Sequence, residues 1–174
     1  MARSTRGKKT NVSVRTAKQA VSNIKRAGRN LRQARELATA AGHVIAARSV
    51  LAARGLAAPS EMDMGEFARM IPEKVTAFNA SSAAYATQTA SAMTSFAEAA
   101  TAEWIAATDR YTNALATART PLGAALAHGQ NMLATWRWMI AQSVSAGAHV
   151  LRAQGSMIAP IHAAAQDNAQ RLAK

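Results

Sequence analysis

The sequence predicts an all-α protein, and two observations support that fold class. Alanine, the strongest helix former, supplies 45 of the 174 residues and so about half of the 49% hydrophobic fraction. Larger apolar residues recur at three- and four-residue steps along most of the chain, which is the period of an amphipathic helix. In places the steps add up to seven-residue repeats, as in coiled coils. We therefore expect long Ala-rich amphipathic helices with coiled-coil-like heptads, arranged either as a helical hairpin or as a bent rod.

The positive charge is confined to one part of the chain. Residues 1–54 contain 13 Lys and Arg and one acid, whereas residues 55–174 contain 8 cations and 8 acids. The whole net charge of +12 therefore lies in the first third. Gly55, Pro59 and Ser60 interrupt the helical pattern at this boundary. We predict a basic region at 1–54, a linker at 55–72 and a helical domain at 73–174.

The basic region has two parts. The opening MARSTRGKKTN is polar and lacks large side chains apart from Met1, which predicts a flexible, disordered arm. From about Ser13, apolar residues and cations recur on separate faces with helical spacing, which predicts a basic amphipathic helix. The natural partner of such a face is a polyanion, either nucleic acid bound without base readout or an anionic membrane surface. The predicted polyanion-binding residues are Lys8, Lys9, Arg15, Lys18, Lys25, Arg26, Arg29 and Arg32. A solvated face on an ordinary helix and an organellar transit peptide are the alternatives.

A second helix is predicted to begin after Pro72 and to run without Gly or Pro as far as Thr120. Glu73 falls in its first turn, where a negative charge suits the helix dipole. At 1.5 Å per residue the helix would be about 70 Å long, which suits a rod. Thr120 and Pro121 form an N-cap followed by the favoured proline position, so a third helix or a sharp bend is expected there. Pro160 is expected to end that helix, and a short helix, IHAAAQDNAQRLAK, to close the chain.

The 23 residues from Val75 to Ala97 carry no charge. Ten of them are Ser, Thr, Asn or Gln, which is too many for the core of a bilayer, so we do not predict a transmembrane helix. The stretch suits packing against another Ala-rich helix, or contact with an apolar surface while its hydroxyls and amides face water. A regular stripe is more often a seam between helices, so the pattern alone favours packing. The two roles are compatible.

No pattern typical of an enzyme is present. The four histidines are scattered and form no HExxH motif, and the chain has no GxSxG elbow, no Gly-rich phosphate loop and no cysteine. Glu98 and Glu103 are five residues apart and so lie on different helix faces, unlike a paired acid and base. The lack of cysteine fits a reducing compartment. We predict a non-enzymatic protein that uses no metal or other cofactor.

Three segments carry a resemblance to a known family. They are EFARMIPEKVTAF at Glu66–Phe78, LATWRWMIAQ, and the tail APIHAAAQDNAQRLAK at Ala159–Lys174. All three resemble the phasins, small proteins that coat polyhydroxyalkanoate storage granules in bacteria. The resemblance covers Glu66–Lys174, about two thirds of the chain, and the basic first third departs from the compact pattern of the family. Some phasins carry basic extensions that attach granules to the nucleoid.

The resemblance implies a helical, non-enzymatic protein that forms homo-oligomers through coiled-coil contacts and lies in the cytoplasm at the granule surface. DNA is then an expected partner of the basic region, and contact with a granule synthase or depolymerase stays open. The residues expected to contact the granule or a second copy are Val75, Phe78, Tyr85, Met93, Phe96, Trp104, Leu126, Leu133, Trp136 and Ile140. A nucleoid-associated DNA-binding protein and a peripheral protein of anionic membranes are the alternatives.

Overall fold

Three long helices account for the fold. The computed structural model describes the backbone of residues 5–173 and the side chains of residues 14–60 and 62–173. Helix α1 spans Thr5–Ala57, α2 spans Met64–Thr117 and α3 spans Pro121–Leu172, with a short 3₁₀ helix at Pro59–Glu61. The described residues contain no strand. The all-α prediction is confirmed.

Both connections between the helices are short and capped by side chains. Asp63 Oδ1 accepts a hydrogen bond from the Glu66 N–H at 2.9 Å, which caps the start of α2. Thr120 Oγ1 accepts the Gly123 N–H at 3.0 Å, and Pro121 is the first residue of α3, so the predicted cap is confirmed.

Several predicted boundaries differ from the structure. Pro72 lies inside α2 and Pro160 inside α3, so the predictions that these prolines begin and end helices are wrong. Each proline leaves one carbonyl of the preceding turn without a helical partner, and helices of 54 and 52 residues tolerate that loss because neighbouring helices hold them in place. The break between α1 and α2 is shorter than the linker predicted at 55–72. Helical backbone begins at Thr5, inside the segment predicted to be a flexible arm, while residues 1–4 lie outside the described part of the chain.

The chain divides into two structural units, and each contains segments of all three helices. Unit 1 combines the α1 segment up to Asn23 with Thr89–His149. Unit 2 combines Ile24–Gln88 with Val150–Lys174. This division differs from the predicted separation at residue 54, because α1 contributes to both units.

Helices α2 and α3 contact each other in each unit. In unit 1 the rings of Tyr111 and His128 meet edge to face, with centroids 5.9 Å apart, close to the connection between α2 and α3. In unit 2 Arg171, near the end of α3, pairs with Glu73, near the start of α2. The choice between a helical hairpin and a bent rod stays a prediction.

Small residues form the interior. The buried apolar residues among those described are Ala40, Val44, Ala148 and Ala153. Ser81 is also buried, at 3% exposure, and no large side chain in the described part of the chain is fully buried. Small side chains let helix backbones approach closely, but they bury little apolar area. The contacts inside the chain therefore use only a small part of its hydrophobic surface.

Candidate functional site

The ten residues predicted to contact a granule or a second copy are all exposed. Their exposed fractions range from 50% at Val75 and Tyr85 to 76% at Trp104. We call this set the apolar stripe; three of its members lie in unit 2 and seven in unit 1. The sequence pattern alone favours packing between helices, but within one chain these side chains face solvent. The usual arrangement of large apolar residues inside and small ones outside is thus reversed.

Large apolar side chains are exposed in both units, among them Phe78 at 67% in unit 2 and Trp104 at 76% in unit 1. Exposed Phe, Trp, Leu and Met side chains are typical of a surface that contacts a partner or an apolar phase.

The predicted polyanion-binding residues of α1 are largely exposed. Lys25, Arg29 and Arg32 of unit 2 are exposed and recur at four- and three-residue steps, which places them on one helix face. Arg15 and Lys18 of unit 1 are exposed as well, whereas the side chains of Lys8 and Lys9 lie outside the described residues. Arg26 departs from the prediction, because it is half-buried and its Nη1 atom is buried without a hydrogen-bond partner. Arg32 lies 4.0 Å from Glu36, the single acid of the basic region, so little of this charge is neutralised.

Two asparagines fix α1 against α3, and neither was predicted from the sequence. In unit 1 Asn23 Nδ2 donates a hydrogen bond of 2.9 Å to the Val144 carbonyl. In unit 2 Asn30 Nδ2 donates one of 2.8 Å to the Leu151 carbonyl, and Asn30 Oδ1 lies 3.0 Å from where a Cβ on Gly155 would be. The seven-residue spacing of the two asparagines on α1 is a detectable signal, because a polar residue in an apolar heptad sets helix register.

An ionic cluster joins the three helices of unit 2. Glu66 of α2 is 6% exposed and accepts hydrogen bonds from Arg48 Nε at 3.1 Å and Arg48 Nη2 at 2.7 Å. Arg171 of α3 donates to Glu73 Oε1 at 2.7 Å and Oε2 at 3.2 Å, and to Glu66 Oε1 at 3.3 Å. Arg171 Nη2 also donates to Asn168 Oδ1 at 2.7 Å. Two guanidinium groups thus balance two carboxylates.

The cluster keeps Glu73 ionised. Hydrogen bonds from Arg171 are the main cause that lowers the pKa of the Glu73 carboxyl, and the positive charges of Arg171 and Arg48 add to the shift, against the opposing effect of burial. The pKa of Arg171 is raised, chiefly by its hydrogen bonds to Glu73. An ionic cluster of this kind holds helices together through charge-assisted hydrogen bonds.

The histidines form no catalytic arrangement with the contacts described here. His162 Nε2 lies 3.2 Å from Glu36 Oε2 in unit 2, and His128 contacts the Tyr111 ring in unit 1. Within the described part of the chain, no three His, Asp or Glu side chains come together as a metal site would require.

Comparison with known proteins gives no assignment. No family model, no curated protein and no solved structure matches the chain. In the part of the chain that the structure describes, none of the helices has the length and apolar character needed to span a bilayer.

Proposed function

We propose that this protein coats polyhydroxyalkanoate storage granules without catalysing a reaction, as the phasins do. The observation that carries the proposal is the exposure of the entire apolar stripe along helices whose buried apolar residues are three alanines and one valine. The resemblance of Glu66–Phe78 and of the tail to phasins supports the same assignment. On this proposal the protein lies in the cytoplasm at the surface of the granule.

Burial of apolar area supplies the free energy of coating. A tryptophan such as Trp104 can bury about 200 Å² of surface. If a flat polymer surface covers about half of that area, contact gains about 2.5 kcal/mol at 25 cal/mol per Å². The ten residues of the apolar stripe would together exceed the cost of ordering the protein on the surface, and no single one is indispensable. Homo-oligomers would bind more tightly still through avidity.

The basic face of α1 gives the proposed coat a second activity. We infer that Lys25, Arg29, Arg32 and their neighbours bind a polyanion such as DNA, because the face is exposed and nearly free of acids. Granule-bound protein would then attach the granule to the nucleoid. Binding of this kind depends on phosphate contacts and so shows no base specificity.

The first test replaces part of the apolar stripe in unit 1. The variant Phe96→Gln, Trp104→Gln, Trp136→Gln is mixed with polyester nanoparticles, and the bound fraction is measured by sedimentation. At about 2 kcal/mol for each side chain, we expect binding to fall at least a hundredfold. Deleting residues 1–54 is less suitable, because α1 supplies the buried residues Ala40 and Val44.

The matched control replaces three exposed polar residues of the same unit: Thr101→Gln, Asn113→Gln and Gln130→Asn. It should coat the particles like the unmodified protein, and fluorescent fusions should form rings around granules for both. Equal coating by the stripe variant and the control would refute the proposal.

A sequence-independent DNA-binding protein without a granule role is the second candidate, favoured by the exposed cations of α1. Affinity for duplex DNA is measured against salt for Lys25→Gln, Arg29→Gln, Arg32→Gln. Loss of three phosphate contacts should make the negative slope of log K against log salt shallower by about 2.7. The control variant Arg119→Gln, Arg137→Gln, which changes exposed cations outside α1, should keep the slope.

The two candidates separate in cells that accumulate no polyester. The second candidate predicts that full-length protein lies on the nucleoid of such cells. It also predicts that the protein stays on the nucleoid in cells that contain granules. A peripheral membrane protein would instead bind anionic vesicles and bind DNA only weakly. Its vesicle binding would be lost in the triple cation variant.

A further inference from the structure

A groove of about 700 Å³ opens in unit 2, and all three helices line it. Its apolar wall includes Val44 of α1, Phe67 and Met70 of α2, and Ile161 of α3. The α1 lining runs from Leu37 to Ala52, about 22 Å along the helix axis. Apart from Phe78, no residue of the groove belongs to the apolar stripe, so granule coating does not account for it.

The polar side of the groove carries an uncompensated positive charge. Arg48 and Glu73 line it, but both belong to the ionic cluster, whose charges balance. Lys74 also lines it, and no acid among the described residues lies within ion-pair distance of the Lys74 amine. Ser49 and Asn168 add further hydrogen-bonding groups. An unneutralised ammonium beside an apolar wall favours a ligand with an anionic head and an aliphatic tail.

We propose that this groove binds a free medium-chain aliphatic carboxylate. The carboxylate pairs with the Lys74 ammonium, and the chain lies along the apolar wall toward Phe67. These two residues are seven positions apart on α2, about 10 Å along the axis. An extended chain advances about 3.5 Å for every three bonds, so about eight to ten carbons cover this distance. The inference does not depend on granule coating.

The size of the groove is that of a small-molecule site. Such sites have volumes of about 300–1,000 Å³, a range that includes this groove. The charge at Lys74 further selects against neutral and cationic amphiphiles.

The test is calorimetric titration of the full-length protein at pH 7 with decanoate below its aggregation concentration. Methyl decanoate and decylammonium are titrated in parallel, because they share the chain and differ only in the head group. We expect one decanoate per chain, weaker binding of the neutral ester and no binding of the ammonium. Lys74→Gln should weaken decanoate binding about tenfold, as loss of a charge-assisted hydrogen bond predicts.

Arg69→Gln is the matched control, since Arg69 is an exposed cation of α2 that does not line the groove. It should leave decanoate binding within about twofold of the original, because Arg69 lies outside the groove whereas Lys74, also exposed, lines it. A second variant, Ala77→Leu, narrows the groove one helical turn from Lys74, at the end where the carboxylate binds. It should weaken decanoate binding at least tenfold while circular dichroism verifies that the helices are intact. Both variants should coat polyester particles normally, which separates this inference from the proposed function.

Three results would overturn the inference. Methyl decanoate could bind as tightly as decanoate, which would mean that the charge is not recognised. Lys74→Gln or a folded Ala77→Leu variant could bind decanoate without loss. Finally, decanoate could fail to bind while Ala77→Leu dissociates an oligomer in sedimentation velocity, which would identify a second copy as the occupant.

Discussion

Replacing Glu66 by Gln tests the ionic cluster of unit 2. The Glu66 carboxylate is 6% exposed and is paired with the Arg48 side chain, itself 12% exposed. The amide keeps the size of the side chain but leaves Arg48 with only Glu73, at 3.6 Å. Breaking a buried ion pair while one charge remains costs about 3–5 kcal/mol. Since Arg171 keeps its bonds to Glu73, we expect the lower end, about 3 kcal/mol of the free energy of unfolding.

The assay is urea denaturation followed by far-ultraviolet circular dichroism. Arg48→Met and the double variant with Glu66→Gln complete a mutant cycle, in which we expect a coupling energy of about 2 kcal/mol. The control is Glu103→Gln, which removes a partner from the more exposed pair with Arg110, at 2.6 Å, and should cost less than about 1 kcal/mol. The reasoning fails if Glu66→Gln costs no more than Glu103→Gln, or if the two changes in the cycle are additive.

Three further predictions concern the helices themselves. Gly28→Ala and Gly42→Ala should each raise the free energy of unfolding by about 1 kcal/mol, because a Cβ at either position meets nothing within 4 Å. Gly155→Ala should give no gain, because its Cβ would lie 3.0 Å from Asn30 Oδ1. Urea denaturation measures all three variants. Asn30→Ala should lower the free energy of unfolding by about 1 kcal/mol, because the hydrogen bond to the Leu151 carbonyl is lost. Asn30→Leu should lower it further, because the larger side chain meets the α3 backbone, and urea denaturation ranks the two variants. The pKa of the Glu73 carboxyl is lowered in the folded state. The carboxylate therefore contributes its full stabilisation above the ordinary pKa of about 4.3, and this stabilisation is lost as pH falls through the lower folded value. Thermal unfolding between pH 5 and pH 2 should show a smaller loss of stability for Glu73→Gln than for the unmodified protein.

Local chemistry made the helices and one of their caps predictable from the sequence. Thr120 and Pro121 act within a single turn, so their pattern alone determines the start of α3. The same local rules failed at Pro72 and Pro160, because each proline removes one hydrogen bond, and contacts with neighbouring helices outweigh that cost. Helix boundaries at these positions depend on tertiary contacts that no short window of sequence contains.

The exposed faces and the buried contacts were predictable to different degrees. Helical spacing is sufficient to identify exposed cations such as Lys25 and Arg29, and apolar positions such as Trp104. It does not reveal which apolar face is buried, because alanine can form an interior as well as an exterior. The ionic cluster was not predictable, since Glu66 and Arg171 are 105 residues apart and nothing in either segment identifies the other.

The small-residue interior separates two sets of positions within the same helices. The residues that hold the fold together are buried alanines, one valine, a buried serine, two asparagines and four ions, and none of them belongs to the apolar stripe. The outer side chains can therefore be exchanged during evolution with little penalty to folding. A lineage could adapt its outer residues to a different apolar partner while inheriting the inner set unchanged. Comparison of related sequences should accordingly find slow substitution at the inner positions and fast substitution among apolar types at the outer ones.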